Sequence, residues 1–510
     1  MDWAKGYVAD IGYTAGFYRE TAPSHMVFGA LAIGRSPGRA LNPKRVLELG
    51  CGQGFGLALL AAANPDIAFE GYDFNPEHVA HARGLIEDAS LTNVQVTETS
   101  FEDAAAREAA NDVDVIALHG IFSWVARATQ DAIISILRKR LQPNGLAYVS
   151  YNCMPGWAPL APIRQFMAEV KRRNPGRSER QLALALDLIG KLRRGNAAYF
   201  AAVPAAAQHL DHMLNLDRVY LAHEYLDEHW ELLQFSDACA RFGEAKLSYV
   251  CSATLPENLD QYAVPPELQP LVAETDDPIL KETIRDFAAN KRFRRDDLYA
   301  RGNAALMAAE HRRILSDTRF ALAVLPKTVS LKFAGPLMEL TGREELHVPV
   351  LDLLAQKNAS FDELLALPAF GQDKVNVLLD CLTLLVHSGQ TLPLLASAAD
   401  AEPAHRFNRM IVNHARTGRI YSHLASPVAR TGVPVSDFGL LTLAAIHDGK
   451  AGDVASAARH AMGILKILDR RPVKEGRLLE DDGEATIFLA ETMQPILQDL
   501  VPIWRRLGIV

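Results

Sequence analysis

The 510-residue chain holds only five cysteines, Cys51, Cys153, Cys239, Cys251 and Cys381, and none forms a CxxC pair. Neither a zinc site nor a disulfide framework is indicated. Residues 1–20 show no apolar run behind a basic start, so a secretory signal is not expected. No apolar stretch is long enough to cross a bilayer, and no membrane insertion is expected. Positive charge is in deficit: 53 Lys and Arg against 61 Asp and Glu leave a net charge of −8, which gives no global attraction for nucleic acid. There is no internal repeat, no low-complexity tract and no Gly-Lys-Ser/Thr phosphate loop. These absences leave a cytoplasmic chain without nucleic-acid partners as the expectation.

What is present is a large apolar fraction, 49%, on a chain too long for one ordinary domain. Short apolar runs at 45–49, 69–74, 94–99, 113–119 and 146–151 alternate with amphipathic segments near 55–63, 76–89, 103–110 and 129–141. That alternation predicts an α/β fold with a doubly wound parallel sheet. Asn75-Pro76 supplies a helix cap and a first-turn proline, and Pro143-Asn144-Gly145 a turn before the fifth strand.

After Trp157 the texture becomes helical. A capping box is expected at Ser178 and Gln181. Residues 158–255 read as a helical insertion plus a final sheet strand near 245–253, and 256–330 as a helical connecting region. Residues 331–396 have the order of a winged-helix-like module. It carries four basic against eight acidic residues, which suits packing or protein contact better than DNA. Residues 397–510 read as a helical C-terminal domain. The stretch 164–194 has nine basic and three acidic residues. It and the run Lys291-Arg-Phe-Arg-Arg295 are each either a solvated face or a docking surface for an acidic partner.

The central signal is Val46-Leu-Glu-Leu-Gly-Cys-Gly-Gln-Gly54, an apolar strand running through a glycine turn into a helix. Glycines allow a ligand to approach the backbone, and a strand end is the ligand crevice of an open α/β sheet. The dinucleotide fingerprint fails, because Phe55 or Leu57 stands where Gly or Ala is required. Asp73 ends the second strand 23 residues after Gly50, where a carboxylate accepts ribose hydroxyls. Ser100 and Phe101 follow the third strand, and His119-Gly120 the fourth.

The runs Glu48-Leu-Gly-Cys-Gly-Gln-Gly54, Tyr72-Asp-Phe-Asn-Pro76, Leu118-His-Gly-Ile-Phe-Ser-Trp124, Tyr148-Val-Ser-Tyr-Asn-Cys-Met-Pro-Gly-Trp157 and Tyr220-Leu-Ala-His-Glu-Tyr225 resemble bacterial class I methyltransferases with a methyltransferase regulatory domain. That group includes rickettsial-type protein lysine methyltransferases. The resemblance covers residues 10–300 well and the rest more loosely. It implies a Rossmann-like methyltransferase core with an N-terminal flap over residues 1–157. The implied cofactor is S-adenosylmethionine, with S-adenosylhomocysteine as product. Tyr18, Glu48, Gly50, Cys51, Gly52, Gly54, Asp73, Phe74, Ser100, Phe101, His119 and Gly120 would surround it, with residues 13–18 as an aromatic flap. Segments 152–157 and 223–225 would face the acceptor. A homodimer is implied by analogy.

Methyl transfer is an in-line displacement, and alignment alone can supply about 7–11 kcal/mol. For a lysine acceptor a proton must first leave, because only about one in a thousand is neutral near pH 7.4. Asn152 and Tyr151 are expected to orient the amine, Trp124, Trp157 and Tyr225 to wall its pocket, and His223 or Glu224 to take the proton. Each has a plainer reading: core packing for the tryptophans, a strand-end cap for His119, a surface pair for His223-Glu224, a turn for Asn152. Three functions stay open: N-methylation of protein lysine, methylation of a glycan or small-molecule hydroxyl or amine, and a cofactor-binding regulator.

Overall fold

The computed structural model describes residues 6–8, 10–12, 15–108, 110–302, 305–371 and 374–510, without the Asp296 side chain. Five strands, β1 (Arg45–Leu49), β2 (Ala68–Asp73), β3 (Val94–Glu98), β4 (Val113–Leu118) and β5 (Leu141–Asn152), are joined by helices. These follow α1 (Pro23–Ala32) and are α2 (Phe55–Ala63), α3 (Pro76–Asp88), α4 (Phe101–Ala106) and α5 (Arg127–Arg140). The inner strand β4 and most of β5 are buried on both faces and read as apolar runs, while the edge strand β3 is largely exposed and mixes polar with apolar residues. All five pair in parallel, as expected.

The sheet continues differently from expectation. Its order is β3-β2-β1-β4-β5-β7-β6, with β6 at Ser248–Ser252 and β7 at Phe293–Ala300. β7 runs antiparallel to both β5 and β6. The 256–330 region is therefore not only a helical connection: it inserts a strand next to β5, and the expected strand near 245–253 is pushed to the edge. The run 291–295 is not simply a charged face either. The Arg294 side chain is 2% exposed and bonds Asp286 (2.8 Å), Asp297 (3.1 Å) and Glu282 (3.0 Å). Lys291 pairs with Glu257.

The insertion between β5 and β6 is helical as expected: α6 (Ala161–Arg173), α7 (Ser178–Arg194), α8 (Ala198–Ala202), α9 (Pro204–Met213), α10 (Arg218–Leu226) and α11 (Phe235–Gly243). The capping box at Ser178 does not form. Ser178 is already inside α7, and Asp10 accepts from its amide (2.8 Å) and its hydroxyl (2.6 Å). Much of the basic character of 164–194 is also spent locally. Arg172 and Arg173 pair with Glu169, Lys191 with Asp187, and Arg164 binds the Asp227 carbonyl.

Farther on, Arg319–Leu322 is the central strand of a three-stranded sheet, between Ala359–Ser360 and Thr391–Leu394. That strand precedes residue 331, so this unit starts earlier than expected. The C-terminal half joins the main core. One apolar cluster runs from α1 and α2 through Phe407, Tyr421 and Trp504, while the opposite sheet face packs on α5 and α11. Among the described residues no helix is long and apolar enough to cross a membrane, and no group of three or more His, Cys, Asp or Glu could hold a metal ion.

Candidate functional site

The strand order reverses at β1 and β4, so the crevice expected of an open α/β sheet lies beyond Leu49 and Leu118. The glycine turn fills one side. Gly50 and Gly54 have positive φ, 72° and 73°, and a Cβ there would come within 2.5 Å of Ile121 and 2.4 Å of Ala82. Gly52 is also left-handed (54°) but faces open space, with no atom within 4 Å of an added Cβ. The turn is anchored behind: the Gly50 and Cys51 amides donate to the Tyr72 carbonyl at 2.8 and 3.1 Å. The Cys51 thiol lies against Gly71 inside the sheet, so only the backbone of Cys51 is left for a ligand.

Asp73 is 6% exposed and held by backbone donors, Gly52 at 2.8 Å and Asn75 at 2.9 Å, with His78 Nδ1 at 3.4 Å. The Glu48 carboxyl makes no hydrogen bond or ion pair among the described residues. Burial, reinforced by Asp73, pushes its carboxyl up to about 8. Two carboxyl groups with few donors beside an open glycine turn form a polar deficit. Hydroxyl and cationic groups would fill it. Phe101 closes the turn, 3.7 Å from a Cβ placed at Gly50. Ser100 caps α4, its hydroxyl accepting from the Asp103 amide at 3.1 Å and donating to the Asp103 carboxylate at 2.7 Å. Phe74 stands edge-on to Tyr7, ring centroids 5.7 Å apart.

At the end of β4, His119 has two aromatic neighbours. Tyr18 stacks on one face, centroids 3.8 Å apart, and Tyr148 lies 5.9 Å away. The Tyr148 hydroxyl donates to the Arg295 carbonyl at 2.9 Å and meets His119 Nδ1 at 2.6 Å. A carbonyl only accepts, so Nδ1 is the donor of the second bond and Nε2 keeps a lone pair. Burial lowers the ring's pKa to about 4, so it stays neutral. The Gly120 amide donates to Ser150 Oγ at 2.7 Å. Sequence reasoning missed Tyr148 as a partner of His119 and missed Ile121. Tyr148 faces Ala117 across β4–β5, a pairing that needs the strand register.

The expected acceptor side is only partly assembled. Glu224 on α10 is half-buried; its carboxyl makes no hydrogen bond or ion pair among the described residues and is pushed up to about 7 by burial and by Asp227. Tyr220, one turn earlier and 42% exposed, interacts electrostatically with Glu224, Tyr18 and Arg295. Asn152 is buried, and its side-chain Nδ2 has no partner. Trp124 is half-buried in the turn after β4.

The other expected residues are placed elsewhere. The Tyr151 hydroxyl donates to Asp297 at 2.7 Å inside the Arg294 cluster, and its side chain is sealed in the core. It is thus already engaged and cannot reach an acceptor. Tyr225 is buried with its hydroxyl 2.7 Å from His209 Nε2, and Trp157 packs edge-on against Trp230, both inside the helical insertion. Trp157 is thus a core residue, the plainer of its two readings, and Tyr225 packs in the same core rather than walling an acceptor pocket. His223 donates from Nε2 to the Ile11 carbonyl at 3.1 Å and lies 5.4 Å from Tyr7, which commits it to packing under the N-terminal segment. Of the flap 13–18, Tyr13 lies outside the described residues, while Tyr18 occupies the site.

Residues 42–213 match the family described as "Methyltransferase domain", and residues 217–301 match "Predicted methyltransferase regulatory domain". The uncharacterized protein sll1526 of Synechocystis is 31% identical over 513 residues, covering all of both chains. The uncharacterized protein RP789 of Rickettsia prowazekii is 26% identical over 56% of this chain and 51% of its own. The solved structure of PKMT2 from Rickettsia typhi in complex with AdoHcy superposes with a TM-score of 0.69 at 19% identity, covering 97% of this chain and 100% of that one, which shows the same fold. The sheet with its open glycine turn, the two domain matches and full-length kinship to the Synechocystis protein place this chain in the family of S-adenosylmethionine-dependent methyltransferases that carry a methyltransferase regulatory domain.

Proposed function

We propose that the protein N-methylates lysine side chains of a protein substrate. S-adenosylmethionine supplies an activated methyl on a sulfonium. Around it, Asp73 receives the ribose hydroxyls and Gly50, Gly52 and Gly54 allow close approach. The Glu48 carboxyl, held protonated near neutral pH by burial, gives up its proton as the cationic end arrives, and Phe101 with Ser100 and Phe74 frames the base. Tyr18, His119 and Gly120 cover the methyl-bearing end.

The observation that carries the lysine reading is Glu224. Its carboxyl has no hydrogen-bond or ion-pair partner among the described residues, is raised to about 7 by burial and by Asp227, and lies one turn after the exposed Tyr220 on α10. A lysine ammonium must lose a proton before it can attack, and a carboxyl with a pKa near the working pH is suited to take it. His119, neutral with its Nε2 lone pair exposed by the Tyr148 bond, orients an amine N–H, and the Asn152 amide lines the approach. The full-length structural likeness to a protein named PKMT2 supports the same reading.

The test is transfer of radiolabelled methyl from S-adenosylmethionine into a lysate of the source cell, separated into protein, glycan and small molecules, with Asp73→Ala as control. Label on lysine in a protein band is expected. Label confined to glycan or small molecules overturns the lysine reading and leaves the methyltransferase assignment intact.

A further inference from the structure

The chain segment that carries Tyr18 is gripped on both sides by the C-terminal half. Tyr18 is in extended conformation, in which successive side chains point in opposite directions. Tyr18 goes to His119. Its neighbours go the other way. Phe17 is 8% exposed and lies across β-strand Thr431–Pro434: a Cβ on Gly432 would come within 2.6 Å of its ring, and His423 meets it edge-on at 5.1 Å. Arg19 places its guanidinium on the Val386 and His387 carbonyls, the last-turn acceptors of helix Val375–His387. Such carbonyls lack intrahelical donors and sit at the negative end of the helix dipole, so an arginine is well matched there. Gly389, at φ 74°, leaves room for it: an added Cβ would be 2.8 Å from Arg19 Nη1.

The C-terminal half also reaches the glycine turn. The Gln53 carbonyl can only accept, so His81 Nδ1 donates to it (2.8 Å) and His81 Nε2 accepts from the Tyr421 hydroxyl (3.2 Å). Tyr421 in turn stacks on Phe55, the residue after Gly54, with centroids 4.7 Å apart. Flap and turn, the two sides of the cofactor crevice, thus rest on elements more than 300 residues later in the chain.

We propose that Phe17 and Arg19 are positioning residues for the cofactor site, through which the C-terminal half holds Tyr18 against His119. The three-residue alternation converts the packing of a remote domain into the placement of one aromatic ring. In this arrangement the C-terminal half is a working part of the cofactor site. The proposal rests on the reading above that Tyr18 covers the cofactor.

The test is calorimetric titration of the full-length protein with S-adenosylhomocysteine, which needs no acceptor. The variants are Arg19→Met, Arg19→Lys and Gly432→Ala, each with and without Tyr18→Ala, and Asp73→Ala. Gly432→Ala leaves the N-terminal segment untouched and displaces Phe17 from the far side. Unfolding temperature is recorded for every variant.

The expected result is that Arg19→Met and Gly432→Ala each weaken binding about tenfold, a change of about 1.4 kcal/mol, and that Arg19→Lys restores part of it. In the Tyr18→Ala background both effects vanish, the non-additivity that marks action through a shared residue. Wild-type affinity in both single variants overturns the proposal, as does an equal loss with and without Tyr18. If Tyr18→Ala binds normally while Asp73→Ala does not, the placement of Tyr18 is itself wrong and the proposal falls with it. If Tyr18→Ala weakens binding and the other two do not, only this proposal fails.

Discussion

The two halves of the central sheet handle polar groups in opposite ways. On the β2-β1-β4 side, Glu48, Asp73 and three left-handed glycines stand at strand ends around open space, and Glu48 is short of donors. On the β5-β7-β6 side, Arg294 is surrounded by Glu282, Asp286, Asp297 and the Tyr151 hydroxyl, and each carboxylate has a donor. One group of charges waits for a ligand and the other has closed on itself. A charged residue on a strand is therefore informative about function only when its neighbours leave its hydrogen-bonding capacity unspent.

Replacing Arg294 with Met should give the largest effect. It leaves buried carboxylates uncompensated, a loss of about 3–5 kcal/mol, measured by urea unfolding. If stability barely changes, the closed side is not closed. On the open side, Asp73→Ala should cost less stability, about 1–3 kcal/mol, for the Gly52 and Asn75 amides it leaves unpaired. It should weaken S-adenosylhomocysteine binding on the order of a hundredfold, from bonds to a charged acceptor worth about 1.5–3 kcal/mol each. A matching loss of stability would erase the contrast.

Glu224→Gln comes next, with a drop in kcat/KM of about a hundredfold. The wild-type rate should rise with pH through about 7 and then level, because the carboxylate is the working form, and the variant should lack that inflection. The same group gives a stability signature. Its folded pKa, about 7, lies above the unfolded value of about 4.3, so the folded state binds more protons between them and stability falls as pH rises through that window. In Glu224→Gln that slope should be reduced. Smallest is Tyr421→Phe, which removes one hydrogen bond to His81 and should weaken cofactor binding by about 1 kcal/mol or less.

The glycine turn and the strand ends around it were legible in the sequence because they are built from local signals. A strand, a glycine turn and a helix occupy consecutive residues, Asn75 and Pro76 start α3 where expected, and Asp73, Ser100 and His119 each fall at a strand end. The surroundings of Tyr151 and of α10 depend on contacts between distant segments. Tyr151 looked like a free hydroxyl until β7 brought Asp297 beside it. β7 itself was hidden because Lys291-Arg-Phe-Arg-Arg295 reads as a solvated run. The one signal that pointed inward was the spacing of Glu282 and Asp286, four apart on one face of helix Pro278–Ala288 and both buried. The exchange of a capping box at Ser178 for Asp10 had the same cause, a partner 168 residues away.

The order of the sheet also sets a timetable for synthesis. β7 lies between β5 and β6 although it is made after both. Its contacts with β5 join residues 146 positions apart, as at Tyr151 and Asp297. At roughly 5–20 residues per second, β5 emerges with an open edge for about 7–30 s before its neighbour exists. During that interval an apolar strand with unpaired amides is a template for wrong pairing. The helical insertion made in the meantime has its own apolar core and can fold while the sheet waits. A nascent chain stalled before residue 293 should therefore bind chaperones through β5, and one stalled well after residue 300 should release them.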